Sequence, residues 1–222
     1  MWIVGITGGM GAGKSTLSKY FRLMGIPVHS ADQEIHTLLN SDSSIQKKIK
    51  TLWPEVFVEG KIDRQLLGER AISSPHGLDT LEKLLYPELA QKQKEFLQEC
   101  QKRKVPIAVI DVPLLLEVGL DRYCNLVIVA SSPFLVRKQR VFERTGMTSQ
   151  KFKAFESRQL TDTQRRKNAD LIIPCGRDKG SALRRVQRLI LSLSQKPSPQ
   201  WDGKWPTTLK RKPYAPRNRP RH

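Results

Sequence analysis

No apolar run among the 222 residues approaches the ~18 to 20 that a bilayer-spanning helix needs, and the longest, around Pro113 to Leu116, is soon interrupted. A transmembrane helix is therefore not expected. Cysteine is sparse as well: Cys100, Cys124 and Cys175 stand apart with no C-x-x-C pair, so they read as ordinary thiols of a reducing compartment. The opening MWIVGITGG has no basic stretch before its apolar residues, and cleavage there would destroy a glycine-rich loop, so a cytoplasmic protein without a signal peptide is expected. No internal repeat is visible. Neither D-x-x-G after a second strand nor N-K-x-D occurs in the chain, which sets the GTPase class aside.

Acidic residues are also in the minority, 21 against 39 Lys and Arg, for a net charge of +18. From Lys196 to His222 eight basic residues face the single acid Asp202, a net +7, which leaves +11 for the rest. A basic body suits nucleotides and phosphates, and equally a solvated basic surface. The last 27 residues hold six prolines and few aliphatics, so residues 196–222 are expected to form a disordered basic tail. Its Trp201, Trp205 and Tyr214 among basic residues open a second reading, nucleic-acid binding by stacking and phosphate tracking. A solubilising extension is the simpler reading, and no nucleic acid is expected for the core.

What is present is a strand and helix alternation. Residues 2–7 read as a buried strand and 14–24 as a helix stopped by Gly25; strand 26–30 precedes a helix over 33–40. Residues 45–103 form a helical insertion punctuated by Pro54, Gly60, Pro75 and Pro87. Strands follow at 106–112, 126–130 and 171–173, with helices over 133–144, 149–167 (split near Thr161) and 178–194. Strands separated by helices imply an α/β fold on a five-stranded parallel sheet. Residues 1–195 are thus one domain, and a monomer is expected.

Between the first strand and helix lies Gly8-x-x-x-x-Gly13-Lys14-Ser15, the phosphate-binding loop pattern in the context it requires. Glycines let backbone N–H groups turn toward phosphate oxygens, and the helix N-terminus adds partial positive charge. In this pattern Lys14 reaches the terminal phosphates and Ser15 ligates Mg²⁺, so a nucleoside triphosphate and Mg²⁺ are expected. Phosphoryl transfer to a small molecule then needs a carboxylate near the acceptor hydroxyl and arginines over the phosphates. Asp32 ends the second strand, and is read either as that carboxylate or as the cap of the helix starting at Gln33. Asp111 ends the third strand as a metal-holding acid would. Glu117 is either a capping acid or a substrate contact. Arg137, Arg140 and Arg144 share one helix face, with Arg165 and Arg166 in the next helix.

The segments TGGMGAGKST, SAD (30–32), LLYPEL (84–89), DVPLLLE (111–117), SSPFLVRKQRVFER and RQLTDTQRRKNADLII run the length of the body. They resemble the dephospho-coenzyme A kinase family. The resemblance implies a P-loop kinase fold with a helical substrate domain (about 45–103) and a helical lid (about 137–168). It implies ATP-dependent phosphorylation of the ribose 3′-hydroxyl of dephospho-coenzyme A. Carried over, Gly9, Met10, Gly11, Ala12, Gly13, Lys14, Ser15 and Thr16 bind ATP together with Arg144 at the lid and Arg165 near the nucleotide. Lys14, Asp32 and Arg140 are catalytic, Asp32 as acid/base and Arg140 on the transferring phosphate, while Ser15 and Asp111 serve the metal. Asp32, Tyr86, Pro113, Leu114 and Glu117 face the acceptor. Tyr86 stands where the family usually has histidine, Ser30 where it commonly has an acid, and the turn at 174–176 is shorter than usual. The runner-up is another P-loop kinase, acting on a nucleotide or a different small alcohol.

Overall fold

The computed structural model describes residues 1–176, 178–211 and 213. Strand β1 (Trp2–Gly8) is buried from Ile3 to Gly8, as a strand covered on both faces must be. It leads through the glycine loop into α1 (Lys14–Leu23), and β2 (Val28–Ser30) leads into α2 (Ala31–Ser41). Then come α3 (Ser43–Leu52), the short strands β3 (Phe57–Val58) and β4 (Lys61–Ile62), α4 (Arg64–Ser73) and the long α5 (Gly77–Lys102). The rest is β5 (Ile107–Asp111), β6 (Leu126–Ser131), α6 (Phe134–Phe142), α7 (Ser149–Glu156), α8 (Asp162–Lys167), β7 (Leu171–Pro174) and α9 (Lys179–Ser194).

The main sheet has the order β2-β5-β1-β6-β7 and every pairing in it is parallel. Register places Ser30 beside Asp111 and Asp111 beside Ile6, so the carboxyl ends of β1, β2 and β5 converge where α/β sheets bind ligands. One face packs on α1 and α9 through Phe21, Leu17, Val186 and Ile173. The other packs on α5 through Leu89, Ala90 and Leu97. A third apolar cluster joins Leu38 and Leu39 of α2 to Ile45, Ile49, Trp53, Leu67 and Leu85. The helical insertion therefore shares its core with α2 rather than starting fresh at residue 45.

Two features differ from the sequence reading. Pro87 does not break the insertion; it lies inside α5, a helix of 26 residues. Gly60 belongs to a hairpin that patterning did not show: Glu59 and Gly60 have φ of 49° and 76°, the pair of left-handed residues that a tight two-residue turn needs.

The larger correction concerns the tail. Residues 197–211 carry neither helix nor strand, yet Trp201, Trp205 and Leu209 are buried in the core cluster beneath α5. Disorder is thus not found over this stretch, because its few large apolar side chains have a surface to bury against. The same burial takes Trp201 and Trp205 away from any base-stacking role. Lys212 and residues 214–222, including Tyr214, lie outside the described residues. Among the described residues no helix is long and apolar enough to cross a membrane.

Candidate active site

The glycine loop owes its shape to two residues. Gly11 and Gly13 have φ of +76° and +99°, backbone that glycine adopts without strain. Space is equally restrictive: a Cβ on Gly11 would lie 2.5 Å from the Arg137 carbonyl oxygen, and one on Gly13 would lie 2.5 Å from the Cys175 Cβ. Gly13 is also the N-cap of α1, which has no side-chain cap and no acid in its first turn. Its amino-terminal N–H groups and dipole therefore await an anion from outside the chain.

Lys14, the first residue of that helix, lies between two carboxylates. Its Nζ donates to Asp111 Oδ1 at 2.5 Å and to Asp32 Oδ2 at 3.4 Å. Asp111 is buried and accepts from Ser18 Oγ on its other oxygen at 2.6 Å. Asp32 is the contrary case, with 65% of its side chain exposed. The cap alternative for Asp32 falls away, since α2 starts at Ala31, two residues before Gln33, and Ser30 is its N-cap, accepting from the Gln33 N–H. Apart from its contact with Lys14, Asp32 faces the cleft, where it lines the larger cavity.

Two cavities meet at the loop. The larger, about 500 Å³, runs from the loop past Asp32 and Ile35 to Leu78, Leu81 and Tyr86 on α5, with Pro113 and Leu114 on the turn after β5. Tyr86 is buried within it, and burial and the Glu82 carboxylate push its hydroxyl pKa above the ordinary value. The smaller, about 210 Å³, is bounded by Thr16, Arg140, Cys175, Gly176 and Ala182. Gly11, Gly13, Ser15 and Arg144 line both. Such a two-lobed cleft can hold a nucleotide and an acceptor on opposite sides of one set of phosphates.

The arginines divide by position. Arg144 lies just past the end of α6 rather than on its face with Arg137 and Arg140, and alone of the three it lines both cavities. Arg140 turns its guanidinium to the carbonyls of Cys175 and Gly176, 2.9 Å each, and so ties the turn after β7 to α6. Arg137 is buried, pairs with Glu156 at 2.9 Å, and donates to the Met10 carbonyl at 3.2 Å. It and Arg165 press on Gly9, where a Cβ would lie 2.4 Å from Arg137 Nη1 and 2.7 Å from Arg165 Nη2. Arg165 is buried behind the loop, donates to the Leu160 carbonyl, and has its pKa lowered by burial and then by the Arg137 charge. Glu117 is not in the cleft either. It is buried, accepts from the Leu160 N–H at 2.8 Å, and burial raises its pKa.

Sequence reasoning assigned no role to Glu82, Arg158 or Arg211, which line the larger cavity. Arg158 opens the RQLTDTQRR segment, so a signal existed; Glu82 had none. Arg211 was hidden by the tail's composition.

A parallel sheet, a phosphate loop between two cavities and an acid at the lysine define a P-loop kinase. A family model, CoaE dephospho-CoA kinase, matches residues 2–178, and the chain belongs to that family. The dephospho-CoA kinase of Bartonella henselae is 36% identical over 193 residues, 87% of this chain and 98% of that protein. That of Gluconobacter oxydans is 36% identical over 199 residues, 88% of this chain and 99% of that one. Among solved structures, TT1252 from Thermus thermophilus superposes with a TM-score of 0.70 at 28% identity, covering 86% of this chain and 96% of that one.

Proposed function

We propose that the protein transfers the γ-phosphoryl group of ATP to the ribose 3′-hydroxyl of dephospho-coenzyme A, giving coenzyme A and ADP. The observation that carries this reading is the largely exposed Asp32 carboxylate 3.4 Å from the loop lysine, where the larger cavity opens onto the phosphate loop. The nucleoside of ATP would occupy the smaller cavity, with its phosphates over the amino end of α1. The acceptor would occupy the larger cavity, its hydroxyl turned to Asp32. Asp32 takes the hydroxyl proton as the oxygen attacks the γ-phosphorus, and the bond from that phosphorus to the ADP oxygen breaks. Lys14, released from Asp111, neutralises charge that spreads over the transferring group.

Roles for the other residues follow from where they lie. Arg144, bordering both cavities, is the arginine suited to the phosphates. Arg140 holds the 174–176 turn beside the nucleoside, and Arg137 with Arg165 stiffens the loop from behind. Tyr86, Pro113 and Leu114 shape the acceptor pocket, and Glu117 positions the 157–161 segment. The helical insertion serves as the substrate domain and helices α6 to α8 as the lid. The residues fit Mg²⁺, which is usually held by one or two carboxylates, waters and substrate phosphates: Ser15 lines both cavities at the loop and the Asp111 carboxylate stands at the loop lysine. Ser15 and Asp111 would hold it, and when bound it would neutralise charge on the phosphates. We place the enzyme in the cytoplasm as a monomer.

The direct test incubates purified protein with ATP, Mg²⁺ and dephospho-coenzyme A and measures coenzyme A by chromatography. Formation of coenzyme A with one ADP per product is expected. A folded protein that hydrolyses ATP but leaves the acceptor untouched overturns the assignment.

A further inference from the structure

We propose that the segment 196–211 is a working part of the acceptor site: a strap along α5 that delivers Arg211 to the mouth of the larger cavity, where it fixes Glu82 and Arg158. This rests on the acceptor occupying that cavity, as argued above.

The strap is docked along its length. The Met1 amino group donates to the Pro199 carbonyl. Gln101 Nε2 donates to the Trp201 carbonyl at 3.1 Å, and the Trp205 indole N–H donates to the buried Gln93 Oε1 at 3.2 Å. Arg211 then meets Glu82. The partners on α5 step backward, from Gln101 to Gln93 to Glu82, as the strap runs forward. Eight and eleven residues of helix span about 12 and 16 Å, and four and six residues of extended chain span up to about 13 and 20 Å. The strap therefore runs antiparallel to α5, bent at Gly203 and at 207–208, and has reach enough to follow the helix.

At its end the Arg211 guanidinium grips Glu82 with two donors, Nε to Oε2 at 3.0 Å and Nη2 to Oε1 at 3.1 Å. Its Nη1 donates to the Arg158 carbonyl at 2.7 Å. The Arg158 side chain, in turn, pairs with Glu82 at 2.9 Å and Asp79 at 2.6 Å. One arginine thus ties α5 to the segment after α7 across the cavity mouth, with the planar two-point geometry that lysine cannot reproduce. Charge gives the tie a consequence for the acceptor. The cluster of Asp79, Glu82 and Arg158, of which Glu82 and Arg158 line the cavity, carries one negative charge without Arg211; Arg211 brings it to zero. A phosphate-bearing acceptor would be repelled by the wall without Arg211 and accepted with it. Arg211 lies beyond the residues 2–178 that the family model covers, so this contribution belongs to the chain's own carboxyl-terminal segment. It is a positioning residue, acting through Glu82 and Arg158.

Steady-state kinetics on the full chain test this. Arg211→Ala is expected to raise the KM for dephospho-coenzyme A about ten-fold, the scale of one desolvated charge pair, with kcat and the KM for ATP within about two-fold. Arg211→Gln, which keeps part of the stem and two N–H donors but no charge, must raise the acceptor KM in the same way and guards against a folding defect in the alanine variant. In a Glu82→Gln background, where the excess acid is gone, Arg211→Ala should add little. An unchanged acceptor KM in both variants, or an equal rise in both KM values, overturns the proposal while a wild type active on dephospho-coenzyme A keeps the function standing. A wild type inactive on that acceptor removes both.

Discussion

Lys14 and Asp32 differ in what each does besides chemistry, and that separates their variants. Lys14 is engaged with Asp111 and Asp32 together, so Lys14→Ala removes both the phosphate ligand and the charge that balances two acids. Activity should fall by at least ~10³, with weaker ATP binding. Asp32 makes no cap and is largely exposed, so Asp32→Asn should leave folding and the KM values nearly intact while kcat falls by ~10² to 10⁴. Parallel kcat and KM measurements with both substrates distinguish the two. His29 of β2 offers a pH test. It is buried, and although Glu34 stands 3.5 Å away and would favour the proton, burial dominates and lowers its pKa from 6.5 to about 4. Between those values the unfolded chain binds the proton and the folded chain does not. Stability present above pH 6.5 is therefore lost as pH falls toward 4, on the order of 2 kcal/mol between pH 7 and 5. Denaturant melts at the two pH values should show this loss, and His29→Phe should reduce it.

At the scale of elements, the sequence reading found the helices and strands wherever local pattern and tertiary role agree. β1, β5 and β6 are apolar runs because both faces are covered, and Gly8 to Ser15 declares its function because only glycine fits Gly11 and Gly13. The hairpin at Glu59 and Gly60 was missed because two-residue strands carry no period. Pro87 was misjudged because a proline in α5 loses one backbone hydrogen bond, a loss the helix's packing on the sheet outweighs. The division among the arginines was illegible for a different reason: Arg137, Arg140 and Arg144 share a helical spacing, but what each meets depends on the loop, Cys175 and Glu156, all distant in sequence. The loop's geometry yields a prediction at this scale. Gly13→Ala forces a Cβ to 2.5 Å from Cys175 at a φ of +99°, a strain of about 1 to 3 kcal/mol. ATP affinity, measured by titration calorimetry, should fall at least ten-fold, and a further Cys175→Gly change, which removes the clash and leaves the backbone strain, should restore only part of it.

For the molecule as a whole, composition misled where spacing did not. Six prolines and a +7 charge made residues 196–222 look disordered, but Trp201, Trp205 and Leu209 recur every fourth residue. All three are buried, whereas Asp202, Lys204 and Lys210 are exposed. The strap therefore completes the core on the α5 side of the sheet, where Trp205 also lies 5.7 Å from the Tyr123 ring. Trp205→Ala would remove that packing and the partner of Gln93 Oε1, a group at 0% exposure, so a loss of about 3 to 5 kcal/mol is expected for an integral core residue. Two outcomes then separate a strap that belongs to the fold from one that merely rests on it. If it belongs, Trp205→Ala lowers the melting temperature in a single cooperative transition. If it only rests there, the melting temperature is unchanged and the segment exchanges its amide protons freely in the wild type; protection at Trp205 and Leu209 comparable to that of α5 is the result expected.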